Sequence, residues 1–361
     1  MPDISFDAEG MCIFCTMHDE LERDHPLDTN GYASFQKLIQ KISAEGKNKE
    51  YDCIVGVSGG RDSTYTLYMA KKLGLRPLAV HFDNGWNSSV AVSNIRNATL
   101  ALDVDLETIV ADWEEFKDLQ VAFLRASVSD AEIPTDFAIL SVLYDMAHRN
   151  GVRYILNGHS FRTEGVAPKS WTYMDGRYIH DVYSKYGSKK ISSFPIMMLS
   201  RFLYYTFICK ITTINLPEFI PYEHEEVERV LTGELGWTYY GGHHHESIYT
   251  EFFQSYYLPQ KFGIDKRRLE FSALIRSGQM KRKDALDELQ NAYPCKQEII
   301  DYTLSKLNLT KEEYTAILDG KNKAFRDYKT YYSYMQLLKL TIRLACYLHI
   351  LPPVFYHKYL R

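Results

Sequence analysis

Two hydrophobic periods alternate along the first half of the chain. Short apolar, β-branched runs at residues 53–57, 77–82, 106–110 and 154–157 have the length and character of buried strands. Residues 64–73, 90–102, 113–126 and 134–149 instead carry apolar positions at helical spacing, and another helix is expected over about 34–50. Pro134 and the early acid Asp136 suit the opening turn of the helix over 134–149. Strands and helices in alternation, joined by short turns, predict a parallel sheet covered on both faces: a doubly wound α/β fold. Beyond about residue 190 the alternation stops. Residues 269–289 and 296–318 read as helical pairs, so the C-terminal half is expected to be mainly helical. The corresponding division is a segment 1–50, an α/β domain 51–190, and a helical region 191–361 for substrate or partner.

Composition narrows the class. A chain of 361 residues with 45% hydrophobic residues buries a sizeable core. A net charge of −4 and a pI near 6.3 argue against a nucleic-acid partner. The acidic start MPDISFDAEG lacks the apolar stretch of a signal peptide. Six scattered cysteines fit a reducing cytoplasm better than a disulfide framework. The most apolar windows, 194–207 and 335–350, are interrupted by Arg201 and by Lys339 and Arg343, so no transmembrane segment is expected. A soluble protein is expected, with association at a membrane surface left open.

The chemistry concentrates where the first strand ends. Residues 53–57 run into Ser58-Gly59-Gly60-Arg61-Asp62-Ser63 and then directly into a helix. A strand, a glycine-paired turn and a helix N-terminus make an anion site, because free N–H groups and the helix dipole face one point. Gly59 and Gly60 let backbone approach a polyphosphate, the hydroxyls of Ser58 and Ser63 can donate to it, and Asp62 is placed for Mg²⁺. A Walker loop is excluded, since it needs Lys directly before its Ser or Thr. With Val57, this loop forms the expected nucleotide contact. Ligands gather at the carboxyl ends of strands in such sheets, so the backbone at His81 and Phe82 is a candidate adenine contact. Residues 83–86 (DNGW) either face that cleft or form an ordinary Asn-Gly turn.

Two further clusters stand out. Cys12 and Cys15 form a CxxC, half of a zinc site, with His18, His25, the histidines at 243–245 or Cys295 as completing ligands; a pair of free thiols fits equally. The stretch GGHHHES brings together His243, His244, His245 and an acid, read as hydrogen-bonding or proton-transfer groups. Lys261, Lys266, Arg267 and Arg268 offer positive charge for phosphate or a sugar carboxylate, whereas residues 281–283 (KRK) read as a solvated helix face.

SGGRDS resembles the SGGxDS signature of the PP-loop ATP pyrophosphatases, whose fold is HUP-like. Together with LAVHFDNGWNS, EIPTDFAI, LNGHSFRTEG and GGHHHESIYTEFFQSYYLPQKFGIDKRR, it makes nearly the whole chain similar to the N-acetyl sugar amidotransferases of bacterial surface-polysaccharide and flagellar-glycan pathways. That resemblance implies cleavage of ATP between the α and β phosphates and conversion of an N-acetyl group to an acetamidino group. It implies that Gly158 lies near the nucleotide and that Glu164 joins Asp62 on Mg²⁺. It implies that His244 or His245 relays a proton and that Lys261 or Arg267 clamps the sugar or phosphate charge. The partners it implies are an N-acetyl sugar carried on a nucleotide and a separate glutaminase subunit supplying ammonia. Family members often carry a second CxxC, which leaves zinc at Cys12 and Cys15 open. The rival readings are a tRNA-thiolating PP-loop enzyme and a non-catalytic nucleotide-binding module.

Overall fold

The computed structural model describes residues 2, 4–242, 244–348, 351, 356 and 360. Five parallel strands form its sheet: β1 (Cys53–Gly56), β2 (Pro77–Asp83), β3 (Leu106–Val110), β4 (Tyr154–Asn157) and β5 (Thr212–Asn215). Their order is β3-β2-β1-β4-β5. The helices preceding β1 and connecting β1 to β4 are α1 (Ile13–Asp24), α2 (Thr29–Gly46), α3 (Arg61–Lys72), α4 (Ser89–Leu102), α5 (Trp113–Arg125) and α6 (Ile133–Arg149).

Strand side chains alternate between two cores, as the period of two requires. Cys53, Val55, Ala79 and Leu156 pack on Phe35, Ile39, Leu67 and Ile95 from α2, α3 and α4. Ile54, Leu78, Val80 and Ile155 pack instead on Phe116, Leu119, Val142 and Leu143 from α5 and α6. Both faces of the sheet are therefore covered, and the expected doubly wound fold is found. Because the order reverses between β1 and β4, their carboxyl ends open a crevice at the switch point.

The sheet continues past residue 190. Thr212–Asn215 pairs with β4 as a fifth strand, Leu156 opposite Ile214. An edge strand of sequence TTIN carries no apolar run to mark it, so a boundary near 190 divides elements that belong to one sheet. The remainder is mainly helical, as expected. Its pairs Arg267–Arg276 with Arg282–Glu288, and Gln297–Lys306 with Lys311–Asp319, follow the helical periodicity of the sequence. One core runs without interruption from Ile54 and Phe123 through Trp86 to Tyr249, Phe252 and Tyr314, so this region packs directly on the sheet layer. No helix among the described residues is long and apolar enough to cross a membrane.

Candidate nucleotide site

The loop after β1 is pinned before any ligand arrives. Gly59 adopts a φ of +79°, and a Cβ there would lie 2.2 Å from the carbonyl oxygen of Ala91, so only glycine fits. Its carbonyl accepts from Asn94 Nδ2 and from the indole of Trp237, both at 3.1 Å. The Ser63 hydroxyl receives the Ser58 N–H at 3.1 Å and lies 3.2 Å from Ser58 Oγ. Gly60 is the N-cap of α3 and brings no side chain to cap it. Loop, hydroxyls and helix N-terminus thus meet at one place, an arrangement suited to an anion.

Asp62 is held from two sides. Its Oδ1 accepts from Arg61 Nε at 3.1 Å and from the Tyr222 phenol. Arg61 itself pairs with Glu228 at 2.9 Å and meets His224 Nε2 at 3.0 Å. Burial and then the Asp62 charge push the Tyr222 phenol well above its usual range. Burial and the neighbouring guanidinium of Arg61 pull His224 down to about 4, so it is a neutral partner for that arginine.

The turn after β4 comes close to this loop. A Cβ on Gly158 would lie 2.7 Å from the Asp62 carbonyl carbon, so Gly158 permits β4 to meet the first turn of α3. Glu164 ends the short helix Phe161–Glu164 and lines the same cavity as Asp62. It lies 2.9 Å from His159 Nδ1 and 3.7 Å from His244 Nε2. Burial opposes its charge, but His159 and His244 outweigh it and hold the carboxyl well below its ordinary value.

His244 also lies 3.7 Å from Glu246 Oε1, and that oxygen accepts from Ser58 Oγ at 3.2 Å. A chain of groups therefore crosses the crevice from Glu164 through His244 and Glu246 to the loop. Burial disfavours a charged His244, yet the two carboxylates override it and raise its pKa well above normal. His244 and His245 lie in a turn and not on a helix. His244 sits at a φ of +60°, His243 lies outside the described residues, and His245 does not line the cavity. His245 Nδ1 is 3.8 Å from Glu251 and its Nε2 3.5 Å from the Tyr293 hydroxyl, and burial lowers it to about 4.

The cavity has a volume of about 810 Å³. Val57, His81 and Phe82 line it, with His81 Nδ1 2.8 Å from the Val57 carbonyl and Nε2 3.1 Å from Asn87. Lys266 and Arg267 line it too, Lys266 3.8 Å from Glu132 and Arg267 paired with Asp265 at 2.7 Å. Lys261 is not brought here. Its ammonium donates to the carbonyls of Ile317, Leu318 and Gly320, capping the C-terminal end of a helix. Trp86 is wholly buried against Trp113 and Tyr249, while Asn84 lines the cavity, so DNGW both turns and faces the cleft.

Sequence reasoning missed several acids in the cavity, among them Glu246 and Glu270. Glu246 belonged to a motif already singled out, but its reach to a loop 188 residues away is a tertiary fact. Glu270 carried no signal of its own; it follows Arg267 and Arg268, which drew attention for their positive charge. Burial raises it to about 7, against the opposing pull of His244 and Arg61.

Cys12 and Cys15 are not assembled into a zinc set. Cys12 caps α1, its sulfur accepting the Cys15 N–H at 3.3 Å. His18 is buried edge-on against Phe161, and His25 lies 3.5 Å from Glu218. Among the described residues, no group of three His, Cys, Asp or Glu side chains is arranged to hold a metal.

The SGGRDS loop between β1 and α3 stands at the switch point of a parallel α/β sheet ordered β3-β2-β1-β4-β5, where such folds bind ligands. Residues 246–341 match the family described as LPS biosynthesis protein WbpG-like, C-terminal domain. An uncharacterized protein of Methanocaldococcus jannaschii, MJ1599, is 26% identical over 161 residues, which are 43% of this chain and 53% of the relative. The chain thus spans about half the length of that curated relative. Among solved structures, it is similar to the NH3-dependent NAD synthetase of Campylobacter jejuni (14% identity, TM-score 0.31, 73% of this chain and 93% of the other). The NMN synthetase of Francisella tularensis compares at 14% identity and a TM-score of 0.32, over 78% and 98% of the two chains.

Proposed function

We propose that the protein is an ATP-dependent, AMP-forming amidotransferase that turns the N-acetyl group of a sugar into an acetamidino group. One observation supports this reading most. Glu246, Lys266, Arg267 and Glu270, all within the WbpG-like segment, line the same cavity as Ser58, Asp62 and Ser63. A segment whose family is described by lipopolysaccharide biosynthesis therefore faces a loop built for polyphosphate, which suits a sugar carried on a nucleotide.

The chemistry follows from the poor leaving ability of an amide oxygen. That oxygen attacks the α-phosphorus of ATP, the Pα–O bond to the β-phosphate breaks, and pyrophosphate departs. Ammonia then adds to the imidoyl carbon, and the C–O bond breaks to release AMP and the amidine. Gly59, Gly60, Ser58 and Ser63 bind the phosphates, and the strand end at His81 and Phe82 receives the adenine. Asp62 and Glu164 would hold Mg²⁺, which when bound neutralises the leaving pyrophosphate. The donors fit a hard cation: they are carboxylate and hydroxyl oxygens, and Mg²⁺ needs only one or two carboxylates beside phosphate. Lys266 and Arg267 face the charge of the sugar substrate. His244 and Glu270 handle the protons lost as the amide oxygen is adenylylated and as ammonia adds to the imidoyl carbon; a group near pH 7 suits such exchange.

None of the six cysteines lines the cavity, which disfavours sulfur transfer at this site. Ammonia is expected from a separate glutaminase subunit, and the ATP requirement suits the cytoplasm. The test is pyrophosphate release from ATP with ammonium and a panel of free and UDP-linked N-acetyl sugars. AMP should accumulate with at least one sugar; ADP as the sole nucleotide product would end this reading.

A further inference from the structure

The helices Tyr332–Leu337 and Lys339–Tyr347 are apolar on two sides. Inward, Met335 lines the cavity, Ile342 packs on the main core and Cys346 is buried. Outward, Leu337, Leu340, Leu344 and Tyr347 are 84%, 80%, 56% and 79% exposed. Their spacing of three and four residues makes one stripe. The Ile342 N–H donates to the Leu338 carbonyl at 2.9 Å, which carries the stripe across the junction of the two helices. Residues 199–208 repeat the arrangement: Leu199 and Phe202 line the same cavity, and Phe207 and Ile208 are exposed. Exposed apolar residues gathered in this way mark a surface that another body covers.

Charge says which body. Residues 186–217 and 328–348 contain no aspartate or glutamate, in a chain whose net charge is −4. Lys189 and Arg201 are compensated by Glu114 and Asp145, at 2.9 and 3.0 Å. Lys210, Lys339 and Arg343 form no ion pair among the described residues, and Arg343 lies 5.9 Å from the Tyr356 ring. Uncompensated cations set among exposed leucines match an anionic lipid surface, where leucines enter the acyl boundary and long basic side chains reach the headgroup phosphates. We infer that the outer side of residues 337–348, with residues 203–210, docks this protein on an anionic bilayer. It lies in the surface and does not cross it, since no helix among the described residues is long and apolar enough to span. The inner side of the same helices lines the cavity, so docking sets that cavity next to the bilayer. The inference does not depend on the reaction proposed above.

Cosedimentation of the full chain with vesicles tests this, using phosphatidylcholine alone and phosphatidylcholine mixed two to one with phosphatidylglycerol. The protein should bind the mixed vesicles and leave the neutral ones largely unbound. Binding should weaken as salt rises from about 0.1 M to about 1 M, which cuts the Debye length to about a third. Lys339→Gln combined with Arg343→Gln should weaken it about thirtyfold, about fivefold for each charge. Leu337→Ser combined with Leu340→Ser and Leu344→Ser should weaken it at least about tenfold. Because these side chains are largely exposed, the thermal midpoint without vesicles should stay close to that of the unaltered protein in both variants. No binding to the mixed vesicles, equal binding to both kinds, or unchanged binding in either variant overturns the inference. A homodimer that the leucine variant dissociates, and that binds no vesicles, assigns the face to a second copy and overturns it too. Should the leucine variant not fold, the charge variant and the salt dependence decide.

Discussion

The phenol of Tyr222 donates to Oδ1 of Asp62 across 160 residues of sequence, so the loop carboxylate is oriented by a side chain that follows β5. Asp62 is therefore more than a solvent-facing group. Removing it leaves Tyr222 and the largely buried Arg61 short of a partner. Asp62→Ala should destabilise the protein by about 1–3 kcal/mol. Asp62→Asn keeps an acceptor for Tyr222 but removes the charge. It should lower pyrophosphate release at least about a hundredfold while shifting the denaturation midpoint less than Asp62→Ala. Near-normal turnover in Asp62→Asn would exclude this carboxylate from the reaction.

How much of this was legible follows from the range of each interaction. β1 to β4 could be read because each is a compact apolar run, and the SGGRDS loop because strand, glycines and helix start are contiguous in sequence. β5 was not legible, since TTIN is short, polar in part and at an edge. Lys261 and Arg267 look alike in a basic stretch, yet one caps a helix and the other lines the cavity, and only packing separates them. The pairing of Glu246 with Ser58 has no local correlate at all.

That difference for Lys261 is measurable. Its ammonium meets three carbonyls at the end of Lys311–Asp319, where a cation also opposes the helix dipole. Lys261→Met should destabilise the fold by about 2–3 kcal/mol through the loss of charge-assisted hydrogen bonds. Below the unfolding transition, kcat and KM for ATP should stay close to those of the unaltered protein. A large fall in kcat in a stably folded variant would return Lys261 to the chemistry.

Glu270 supplies a pH signature. Burial raises its folded pKa to about 7, above the ordinary carboxylate value. Between those two values the folded state binds more protons than the unfolded one, so stability falls as pH rises from about 4.3 to 7 and then levels. Glu270→Gln removes that loss. Urea midpoints of the ligand-free protein should therefore favour the variant more at pH 8 than at pH 5. Parallel pH curves for the two proteins would show that Glu270 titrates normally.

The cysteine pair is expected to act without a metal. Cys12 is committed to its own helix start, and no third ligand is in place among the described residues. Purified protein should carry well below one zinc per chain, and Cys12→Ser should retain turnover. Stoichiometric zinc that disappears in this variant would mean that ligands gather at the pair in another state or another chain.

The source of ammonia is the last test. Hydrolysis of glutamine needs an activated nucleophile, most often a cysteine with a basic partner, positioned where the amide can bind. Cys53 and Cys346 are buried and their thiols are pushed up by burial, the opposite of activation. Burial also raises Cys15 and Cys295. Cys209 lies 3.5 Å from His148 Nδ1, but neither residue lines the cavity. Ammonia itself is mostly protonated at neutral pH, and only the free base attacks carbon. The purified chain should therefore turn over with high ammonium, faster as pH rises and the free base accumulates, and fail with glutamine. Adding a separate glutaminase that docks on this protein should restore glutamine-dependent turnover at neutral pH. Efficient use of glutamine by this chain alone, surviving a Cys209→Ser substitution, would refute the need for a partner and would require a nucleophile of another kind.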